Sequence, residues 1–444
     1  MAAPAVDVLV WGATGYTGRL VAEHLARSYS GAGAAAAGVK PVSFALGGRS
    51  AAKLAAVRAE LAAIEPSIAA IPLVIADAGD PAGLAAAVRG AKVVLTTAGP
   101  YAALGTNLLA ACVAEKAHYV DLTAEVPWMR AMRAAHGGTA VANEVKIVHC
   151  GGFDSVPTDV LKFMLADTAA QRNGGTPCVG RVTTLFEDGF GGVSGGTVES
   201  LLTAMFEAPA EARKASADPY ALVDAGGGAG APPGPPPSLP PTPAARMAEA
   251  DSMLPGWSAS ARAYTAPFVM AFINTRVARR SAALRPATYG RWFRSTEVQA
   301  VPGRLAGSAV TLGLGLFGLV ANFRLGRALI RRAAPKQGSG PSAEIRAKGF
   351  WKMRGVAELV DPATGVPTGV TLTGRASDLA RDPGYWGTAR MMLETGLSLI
   401  GEDGASAVAA GAPAGGMLTP AAAGGWVLVE RLRKAGVGLE VEEA

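Results

Sequence analysis

The chain has 444 residues, half of them hydrophobic, and carries a formal net charge of +6 with three cysteines and four histidines. This length suits two or three domains with substantial cores, and the hydrophobic content excludes a disordered chain. The cysteines form no Cys-x-x-Cys pair, the histidines show no ligand spacing and no basic stripe carries aromatic residues, so we expect no disulfide framework, no metal site and no nucleic-acid partner.

A predicted strand at 6–10 runs into a glycine-rich turn, and a helical stretch begins at Arg19. In the spacing Gly-x-x-Gly-x-x-Gly, Gly12 lets the chain turn sharply, Gly15 lets the backbone approach a pyrophosphate, and Gly18 lets the helix lie close on the strand. This context predicts a dinucleotide-binding site, with an ordinary tight turn as the alternative. The predicted cofactor contacts are Gly12, Ala13, Thr14, Gly15, Tyr16, Thr17 and Gly18.

The second predicted strand, 42–46, ends in Gly-Gly-Arg-Ser and not in a carboxylate. An acid there would accept from a ribose 2′-hydroxyl, whereas a guanidinium pairs with a 2′-phosphate. Arg49, Ser50 and Lys53 therefore predict NADP(H) and not NAD(H). The alternative is that Ser50 only caps the next helix and Arg49 is a solvated charge.

Four further apolar runs, at 71–77, 93–97, 118–122 and 147–150, alternate with helical stretches. Right-handed crossovers turn such a repetition into a parallel sheet with its ligand at the carboxyl ends of the strands. Asp77 ends one of these strands, where it either meets the adenine edge or caps the following helix. The sequence therefore predicts an α/β fold that opens with a Rossmann-type NAD(P)-binding domain over 1–150.

The fourth predicted strand ends in a glycine-proline turn that carries an aromatic ring. In this fold such a turn lies over the nicotinamide half of the cofactor. The predicted contacts there are Thr97, Ala98, Gly99 and Pro100, and Tyr101 is the candidate catalytic proton donor. The alternative is an ordinary turn with Tyr101 packed on a neighbour.

Carboxylates follow the next two predicted strands. Asp121 and Glu125 come after the fifth strand, and Asp154, Ser155 and Asp159 come after the sixth. Each set either supplies polar contacts at the ligand-binding edge or caps the next helix. Both interpretations stay open from the sequence.

Taken together, these motifs resemble the saccharopine dehydrogenase-like oxidoreductases, including the branch called trans-acting enoyl reductases. The matching stretches are Gly-Ala-Thr-Gly-Tyr-Thr-Gly, Gly-Gly-Arg-Ser, Ala-Gly-Pro-Tyr, His-Tyr-Val-Asp-Leu-Thr-Ala-Glu, Gly-Phe-Asp-Ser-Val-Pro-Thr-Asp, the run 382–389, and Leu-Thr-Pro-Ala with Glu430-Arg431-Leu432. The resemblance covers nearly the full chain and implies a two-domain NADP(H)-dependent oxidoreductase. It also implies a lipid setting, because eukaryotic relatives associate with lipid droplets and other membranes. No arginine set matches the amino-dicarboxylate pocket of true saccharopine enzymes, so lysine metabolism does not follow.

The rest of the chain predicts a second α+β domain over 151–385 and a C-terminal helical segment over 386–444 that packs back on the first domain. Strands are predicted at 181–186, 344–360 and 369–375, with helices at 197–206, 387–400 and 421–435. A stretch rich in glycine and proline, 226–243, predicts a surface insertion or disordered loop.

An uncharged apolar segment at 305–323 is followed by Arg324, Arg327, Arg331 and Arg332. Its length permits a membrane span, but its glycines weaken an isolated helix, so attachment to a lipid surface, burial in the core and a true span stay open. Further arginines predict a cationic rim for anionic headgroups: Arg276, Arg279, Arg280, Arg285, Arg291 and Arg294.

From this segment we expect peripheral attachment to a membrane or lipid droplet and a lipid-like enoyl, keto or imine substrate. The strand at Val6 leaves no room for a signal peptide, so we expect the cytoplasmic side of the membrane. A homodimer is a further candidate assembly.

Two other functions fit parts of the chain. The run 192–196 satisfies the Gly-x-Ser-x-Gly pattern of serine hydrolases, but all four histidines precede Ser194, contrary to the chain order of α/β-hydrolases. A catalytically silent lipid-surface protein that retains nucleotide binding is the second alternative. No Tyr-x-x-x-Lys pair occurs, which removes the base of short-chain dehydrogenases and leaves Tyr101 as the proton donor.

Overall fold

The computed structural model describes residues 5–224, 234, 236–336 and 339–442. The strands are β1 Val6–Trp11, β2 Phe44–Gly48, β3 Leu73–Ile75, β4 Ala91–Thr96, β5 His118–Asp121, β6 Lys146–Val148, β7 Val179–Phe190, β8 Gly256–Ser258, β9 Ala263–Pro267, β10 Arg294–Val301, β11 Phe350–Val360, β12 Pro367–Asp378, β13 Gly416–Leu418 and β14 Gly438–Val441. They form two sheets of seven strands each.

The α-helices surround both sheets. In chain order they are α1 Tyr16–Tyr29, α2 Gly31–Ala37, α3 Ala51–Ala62, α4 Pro81–Val88, α5 Tyr101–Leu104, α6 Thr106–Ala114, α7 Val126–Ala142, α8 Val156–Arg172, α9 Gly195–Leu202, α10 Ala210–Ala217, α11 Pro243–Met247, α12 Ala271–Leu284, α13 Pro286–Tyr289, α14 Arg304–Asn322, α15 Arg324–Ala333, α16 Ala343–Lys348, α17 Thr388–Leu397, α18 Gly401–Ala409 and α19 Pro420–Lys434. A 3₁₀ turn lies at Pro66–Ala70, and π-helical turns lie at Thr203–Glu207 and Pro383–Gly387.

The first sheet is parallel throughout, in the order β13-β6-β5-β4-β1-β2-β3. Its central strands are apolar runs, and Val8, Leu9 and Val10 are buried, as helices on both faces of a parallel sheet require. Strand order reverses beside β1, between β2 and β4, and this is the point where open α/β sheets bind their ligands. The predicted Rossmann-type domain is confirmed.

The second sheet is mixed, in the order β14-β12-β11-β7-β10-β9-β8. Strands β10 and β7 are parallel, and the other neighbours are antiparallel. The buried helix α8 lies on this sheet over Gly355 and Gly374, which are opposite each other in β11 and β12. A Cβ at Gly355 would lie 2.8 Å from Leu165, and one at Gly374 would lie 2.9 Å from Leu161, so the glycines allow the close approach of the helix.

The C-terminal segment returns to both sheets. Helix α17 packs on the first sheet, where an added Cβ at Gly396 would lie 2.5 Å from Leu95. Strand β13 then joins the edge of the first sheet, and β14 joins the edge of the second. The segment 386–444, predicted as helical, therefore contributes one strand to each sheet as well as α17, α18 and α19.

Two local predictions need correction. Residues 344–349 were predicted as strand, but α16 forms there because Ser342 caps it by accepting from Ile345 N at 3.3 Å. Of the stretch 226–243, residues 226–233 and 235 lie outside the described residues. In the described end of this stretch, Ser238 is buried and its carbonyl accepts from Arg294 at 3.1 Å, whereas 241–243 are exposed as predicted.

The apolar segment 305–323 forms α14, so its glycines do not prevent a helix. Among the described residues α14 is the one helix long and apolar enough to cross a membrane, and only a ninth of it is buried. Its exposed apolar side chains recur every three to seven positions: Leu305 (89 % exposed), Leu312 (74 %), Leu316 (59 %), Leu319 (59 %) and Phe323 (59 %). Burial in the core is therefore excluded for this face.

The predicted cationic rim is wrong for three of its arginines, which lie on the buried helix α12. Arg276 pairs with Asp251 at 2.7 Å, and Arg279 donates to the carbonyl of Pro219 at 2.9 Å. Arg280 is also buried and donates to the carbonyl of Met417 at 2.9 Å. These guanidinium groups tie loops to the core, so they do not face a lipid surface.

Candidate cofactor site and active site

The glycine turn after β1 is open on the side that faces solvent. Gly12 has φ +81°, and its N–H donates to Gly47 O at 3.0 Å. A Cβ at Gly18 would lie 2.3 Å from Gly12 O, so only glycine lets α1 approach the turn. A Cβ at Gly15 would meet only Gly12 O, at 3.2 Å, so the space in front of Gly15 is free for a ligand.

The first turn of α1 has unused donors. The N–H groups of Tyr16, Thr17 and Gly18 make no backbone hydrogen bond within the described residues. Such groups carry the positive end of the helix dipole and bind phosphate readily. The turn therefore fits the pyrophosphate of a dinucleotide. Ala13 is buried beneath it, and Thr14 lies at its rim.

The turn after β4 packs directly on the glycine turn. The Thr97 hydroxyl donates to Gly12 O at 3.3 Å, and Ala98 N lies 3.1 Å from the position of a Cβ on Gly12. The Gly99–Pro100 peptide is cis. The second domain closes over this turn, since a Cβ on Gly99 would lie 4.0 Å from Ser200 Oγ of α9. The predicted nicotinamide contacts thus line a cleft between the two domains.

The predicted 2′-phosphate residues lie at the end of β2. Arg49 and Lys53 are exposed and form no ion pair or side-chain hydrogen bond with the residues that the structure describes. Ser50 caps α3 by accepting from Lys53 N at 3.4 Å, so the capping alternative holds for Ser50. Two free cations remain at this position, and both suit a 2′-phosphate.

Asp77 lies exposed after β3. Its carboxylate accepts from Gly79 N at 2.8 Å, whereas α4 is capped by Asp80, which accepts from Gly83 N at 3.0 Å. The capping role considered for Asp77 therefore belongs to Asp80. Asp77 stays at the carboxyl edge of the sheet, where an adenosine would lie.

Tyr101, the predicted proton donor, is buried and fully hydrogen-bonded. Its hydroxyl donates to Thr96 O at 3.0 Å and accepts from Leu122 N at 3.1 Å. Burial raises the pKa of this hydroxyl well above its usual value. Its single proton is held by a carbonyl in this conformation, so the hydroxyl has a structural role here, and the catalytic role of Tyr101 stays a prediction.

Three of the four carboxylates after β5 and β6 also hold the fold together. Glu125 accepts from Tyr101 N at 2.8 Å and so anchors the start of α5. Asp121 is buried against His149 Nδ1 at 2.8 Å. Asp159 accepts from Ala421 N at 2.8 Å, which satisfies the start of α19. None of the three caps the helix that directly follows it.

Asp154 is the exception. Its carboxyl is partly exposed and makes no hydrogen bond within residues 5–224, 236–336 and 339–442, and burial raises its pKa to about 6. It lies within electrostatic reach of Tyr101, Cys150 and Tyr385, where the two domains meet. The preceding residue is held by the second domain, because Phe153 N donates to Thr388 Oγ1 at 3.1 Å.

Two residues of the cleft escaped the sequence predictions. The Tyr385 hydroxyl is hydrogen-bonded to Ser194 N and, at 2.9 Å, to Thr197 Oγ1, and its ring packs edge-on against Tyr16 at 5.1 Å. Arg346 donates to the Tyr16 hydroxyl at 2.5 Å. Tyr385 lies in the motif 382–389, which could have indicated it, whereas no motif marks Arg346.

The serine hydrolase alternative finds no support in this geometry. The Ser194 hydroxyl accepts from Thr197 N at 3.2 Å and caps α9, and no histidine contacts it in the described part of the chain. Without a neighbouring base, a serine hydroxyl is not activated. The described residues likewise contain no cluster of three metal-binding side chains.

Comparison with known proteins gives the same picture. Residues 8–142 match the family model of the saccharopine dehydrogenase NADP-binding domain. A proposed trans-acting enoyl reductase of Mycobacterium tuberculosis is 37 % identical over 98 % of this chain and 97 % of its own length. A trans-acting enoyl reductase of Mycobacterium leprae is 35 % identical over 97 % of this chain and 96 % of its own length.

Among solved structures, apo saccharopine dehydrogenase (L-Glu forming) from Saccharomyces cerevisiae matches 98 % of this chain and 99 % of its own, with a TM-score of 0.48 at 10 % identity. The full-length similarity to named relatives and the match of the nucleotide domain carry the assignment. The chain belongs to the trans-acting enoyl reductases of the saccharopine dehydrogenase-like family and is an NADP(H)-dependent oxidoreductase.

Proposed function

We propose that this protein reduces the carbon–carbon double bond of an enoyl group on a long-chain, lipid-like substrate, using NADPH. The observation that carries the proposal is the similarity to enoyl reductases over 97 % of the chain. When bound, NADPH supplies a hydride for such a reduction, and the protein supplies orientation and a proton. The open glycine turn and the free cations at Arg49 and Lys53 fit this cofactor.

Asp154 is the proposed proton source. Its carboxyl lies at the same sheet edge as the turn that carries Gly99, and among the described residues it has no hydrogen-bond partner that would hold its proton. With a pKa of about 6, the carboxyl exchanges its proton readily at neutral pH, as a general acid must. Tyr101 cannot serve in this conformation, because its hydroxyl proton is donated to Thr96 O.

We further propose that α14 attaches the protein to a lipid surface on the cytoplasmic side. The support is the exposed stripe from Leu305 to Phe323, because contiguous apolar faces on soluble proteins mark interaction sites. Arg324 and Arg332 of α15 are exposed, form no ion pair within the described residues and suit anionic headgroups.

We propose that α14 attaches to one face of a membrane and does not span it, because both ends of α14 contact the same folded body. At one end, a Cβ on Gly307 would lie 3.0 Å from Pro255 and 3.3 Å from Thr265 O of β9. At the other end, Arg331 of α15 pairs with Glu199 of α9 at 2.8 Å. A helix held in this way cannot place its ends on opposite sides of a bilayer.

The same contacts connect the lipid face to the cleft, which supports a lipid-like substrate. Glu199, the partner of Arg331, is adjacent in sequence to Ser200, and Ser200 lies over Gly99. A chain delivered from a lipid surface at α14 would therefore meet the active site one helix away, at α9.

The proposed reaction is tested by incubating the purified protein with NADPH and a long-chain 2-enoyl thioester. We expect NADPH oxidation and a product heavier by two hydrogens, with less turnover of a short-chain analogue. A 3-keto thioester and a cyclic imine are the matched alternatives, and turnover of either in place of the enoyl compound would contradict the assignment. Tight NADPH binding without turnover of any of them would favour the catalytically silent protein.

A further inference from the structure

We infer that Arg346, a residue of the second domain, binds the pyrophosphate of the dinucleotide. Arg346 belongs to α16, which leads into the second sheet, yet its guanidinium lies at the first turn of α1 in the nucleotide domain. The inference rests on NADP(H) binding and does not depend on which substrate is reduced.

Several contacts fix the position of the Arg346 side chain. Nη1 donates to the Tyr16 hydroxyl at 2.5 Å and to Pro341 O at 2.8 Å. The guanidinium carbon lies 5.6 Å from the centre of the Tyr16 ring and 5.2 Å from that of Trp386. Two cation–π contacts and two hydrogen bonds leave this side chain little freedom, so it is pre-organised for a ligand.

One carboxylate, that of Asp382, lies within electrostatic reach of Arg346, and it already accepts from the N–H groups of Tyr385 and Trp386. Within the described part of the chain no carboxylate forms an ion pair with Arg346, whereas Arg19, on the same side of α1, pairs with Glu60 at 3.2 Å. Its Nε is buried without a hydrogen-bond partner. Since Nη1 makes both hydrogen bonds that Arg346 forms with the described residues, the donors on Nε and Nη2 are left for a bidentate contact with a phosphate.

The position of Arg346 indicates which anionic group of the cofactor it binds, namely the pyrophosphate. Arg346, Thr14 and Tyr16 line one groove of 430 Å³ beside the glycine turn. Glu23 and Glu60 also line this groove, and their charges are paired with Arg27 and Arg19. The unused N–H groups of the first turn of α1 are in the same place. The 2′-phosphate site lies elsewhere, at Arg49 after β2.

Two outcomes separate a pyrophosphate contact from other roles. Replacing Arg346 by Ala removes a charge-assisted contact, so NADPH and NADH should both bind about 10- to 100-fold more weakly, by the same factor. Adenosine 2′-monophosphate lacks a pyrophosphate, so it should bind the Arg346→Ala variant with the same affinity as the wild type. Arg49→Ala should give the opposite pattern, weakening NADPH and adenosine 2′-monophosphate but not NADH.

The measurement is calorimetric titration of the full chain with each nucleotide in the absence of substrate, so it is independent of the proposed reaction. Arg172→Ala, which removes an exposed arginine from the end of α8, is the matched control and should leave all three nucleotide affinities unchanged. If circular dichroism shows that Arg346→Ala does not fold, the experiment uses Arg346→Gln in its place, because glutamine keeps a donor for Pro341 O. Unchanged NADPH affinity, a loss confined to NADPH, or weaker binding of adenosine 2′-monophosphate would each overturn the inference.

Discussion

The side-chain hydroxyl of Tyr101 accepts the backbone N–H of Leu122 at 3.1 Å, which ties the turn after β4 to the end of β5. Since the same hydroxyl donates to Thr96 O, Tyr101→Phe leaves two backbone groups at this sheet edge without a partner. We expect a loss of about 1–3 kcal/mol in the free energy of unfolding, with turnover reduced only a few-fold. Urea unfolding and NADPH oxidation measure the two effects. A large loss of turnover at unchanged stability would restore Tyr101 as the proton donor.

Replacing Arg49 by Ala should change the choice between the two nicotinamide cofactors. The exposed, unpaired guanidinium is expected to bind the 2′-phosphate, so its loss should weaken NADPH binding by about 1.5–3 kcal/mol and leave NADH binding unchanged. Titration of the variant with both nucleotides checks this. Equal affinities of the wild type for NADPH and NADH would contradict it.

The two glycines that flank the first turn of α1 should respond differently to substitution. Gly18→Ala forces a Cβ to within 2.3 Å of Gly12 O, so we expect a loss of stability of about 1–3 kcal/mol. Gly15→Val meets only Gly12 O and should fold normally, but its side chain fills the space for the pyrophosphate and should abolish nucleotide binding. Thermal unfolding and calorimetry distinguish the two variants. Normal NADPH affinity in folded Gly15→Val would show that Gly15 only shapes the turn.

Asp154 should lower the stability of the folded protein at neutral pH. Its pKa is raised by burial from 3.8 to about 6, so the unfolded chain loses this proton at lower pH than the folded chain. Stability therefore falls as the pH rises from about 4 to about 6 and stays lower above that range. Asp154→Asn removes the charge and should stabilise the protein by about 1–3 kcal/mol at about pH 8, with no gain at about pH 4.

The same variant tests the proposed role in proton transfer. If Asp154 is the general acid, Asp154→Asn should lower kcat by about 10²- to 10⁴-fold while NADPH affinity is retained. Urea titrations at both pH values and steady-state kinetics supply the readouts. Unaltered kcat would exclude Asp154 as the proton source, and a gain in stability at low pH as large as that at high pH would contradict the titration argument.

Two aspartates on α14 should release the protein from lipid. Leu312 and Leu316 are exposed, so replacing both by Asp leaves the core intact but prevents the stripe from entering an apolar phase. We expect the wild type to float with vesicles that contain anionic lipid, and the double variant to stay in solution with normal NADPH affinity.

The matched control for this experiment places the same charges at Val366 and Val370, which are also exposed but lie in the hairpin that β11 and β12 form, at its turn and in β12. This control should still float. A wild type that stays in solution would contradict the lipid proposal. So would a dimer that the α14 variant converts to a monomer, since a second copy of the chain would then cover the stripe.

The nucleotide domain could be predicted from the sequence because its signals are local. Gly12 and Gly18 are separated from each other by one turn of chain, and each is required by a contact that a Cβ would prevent. The second sheet was harder to predict from the sequence, because its neighbouring strands come from distant parts of the chain, as with β7 and β11. The helix α16 was missed for a local reason: a capping residue, Ser342, outweighed the apolar pattern that favoured a strand.

For the site, the sequence located the residues better than it assigned their roles. Tyr101 and Asp154 both lie at the predicted edge of the sheet, but only the structure shows which one has its proton committed to a carbonyl. Arg346 could not have been found, because its position depends on how the second domain packs against Tyr16. Contacts between domains have no counterpart in the local pattern of either domain.

Because β13 lies late in the sequence, it determines when the nucleotide domain can finish folding during synthesis. The first sheet takes its edge strand from Gly416–Leu418, and Gly396 covers Leu95 in its centre. A ribosome must therefore release residue 418 before the nucleotide domain that began at residue 6 is complete. Until then β6 has no neighbour on one side, and Leu95 lacks the helix that covers it. We therefore expect an excised fragment of residues 1–150 to be less stable than the same domain within the full chain.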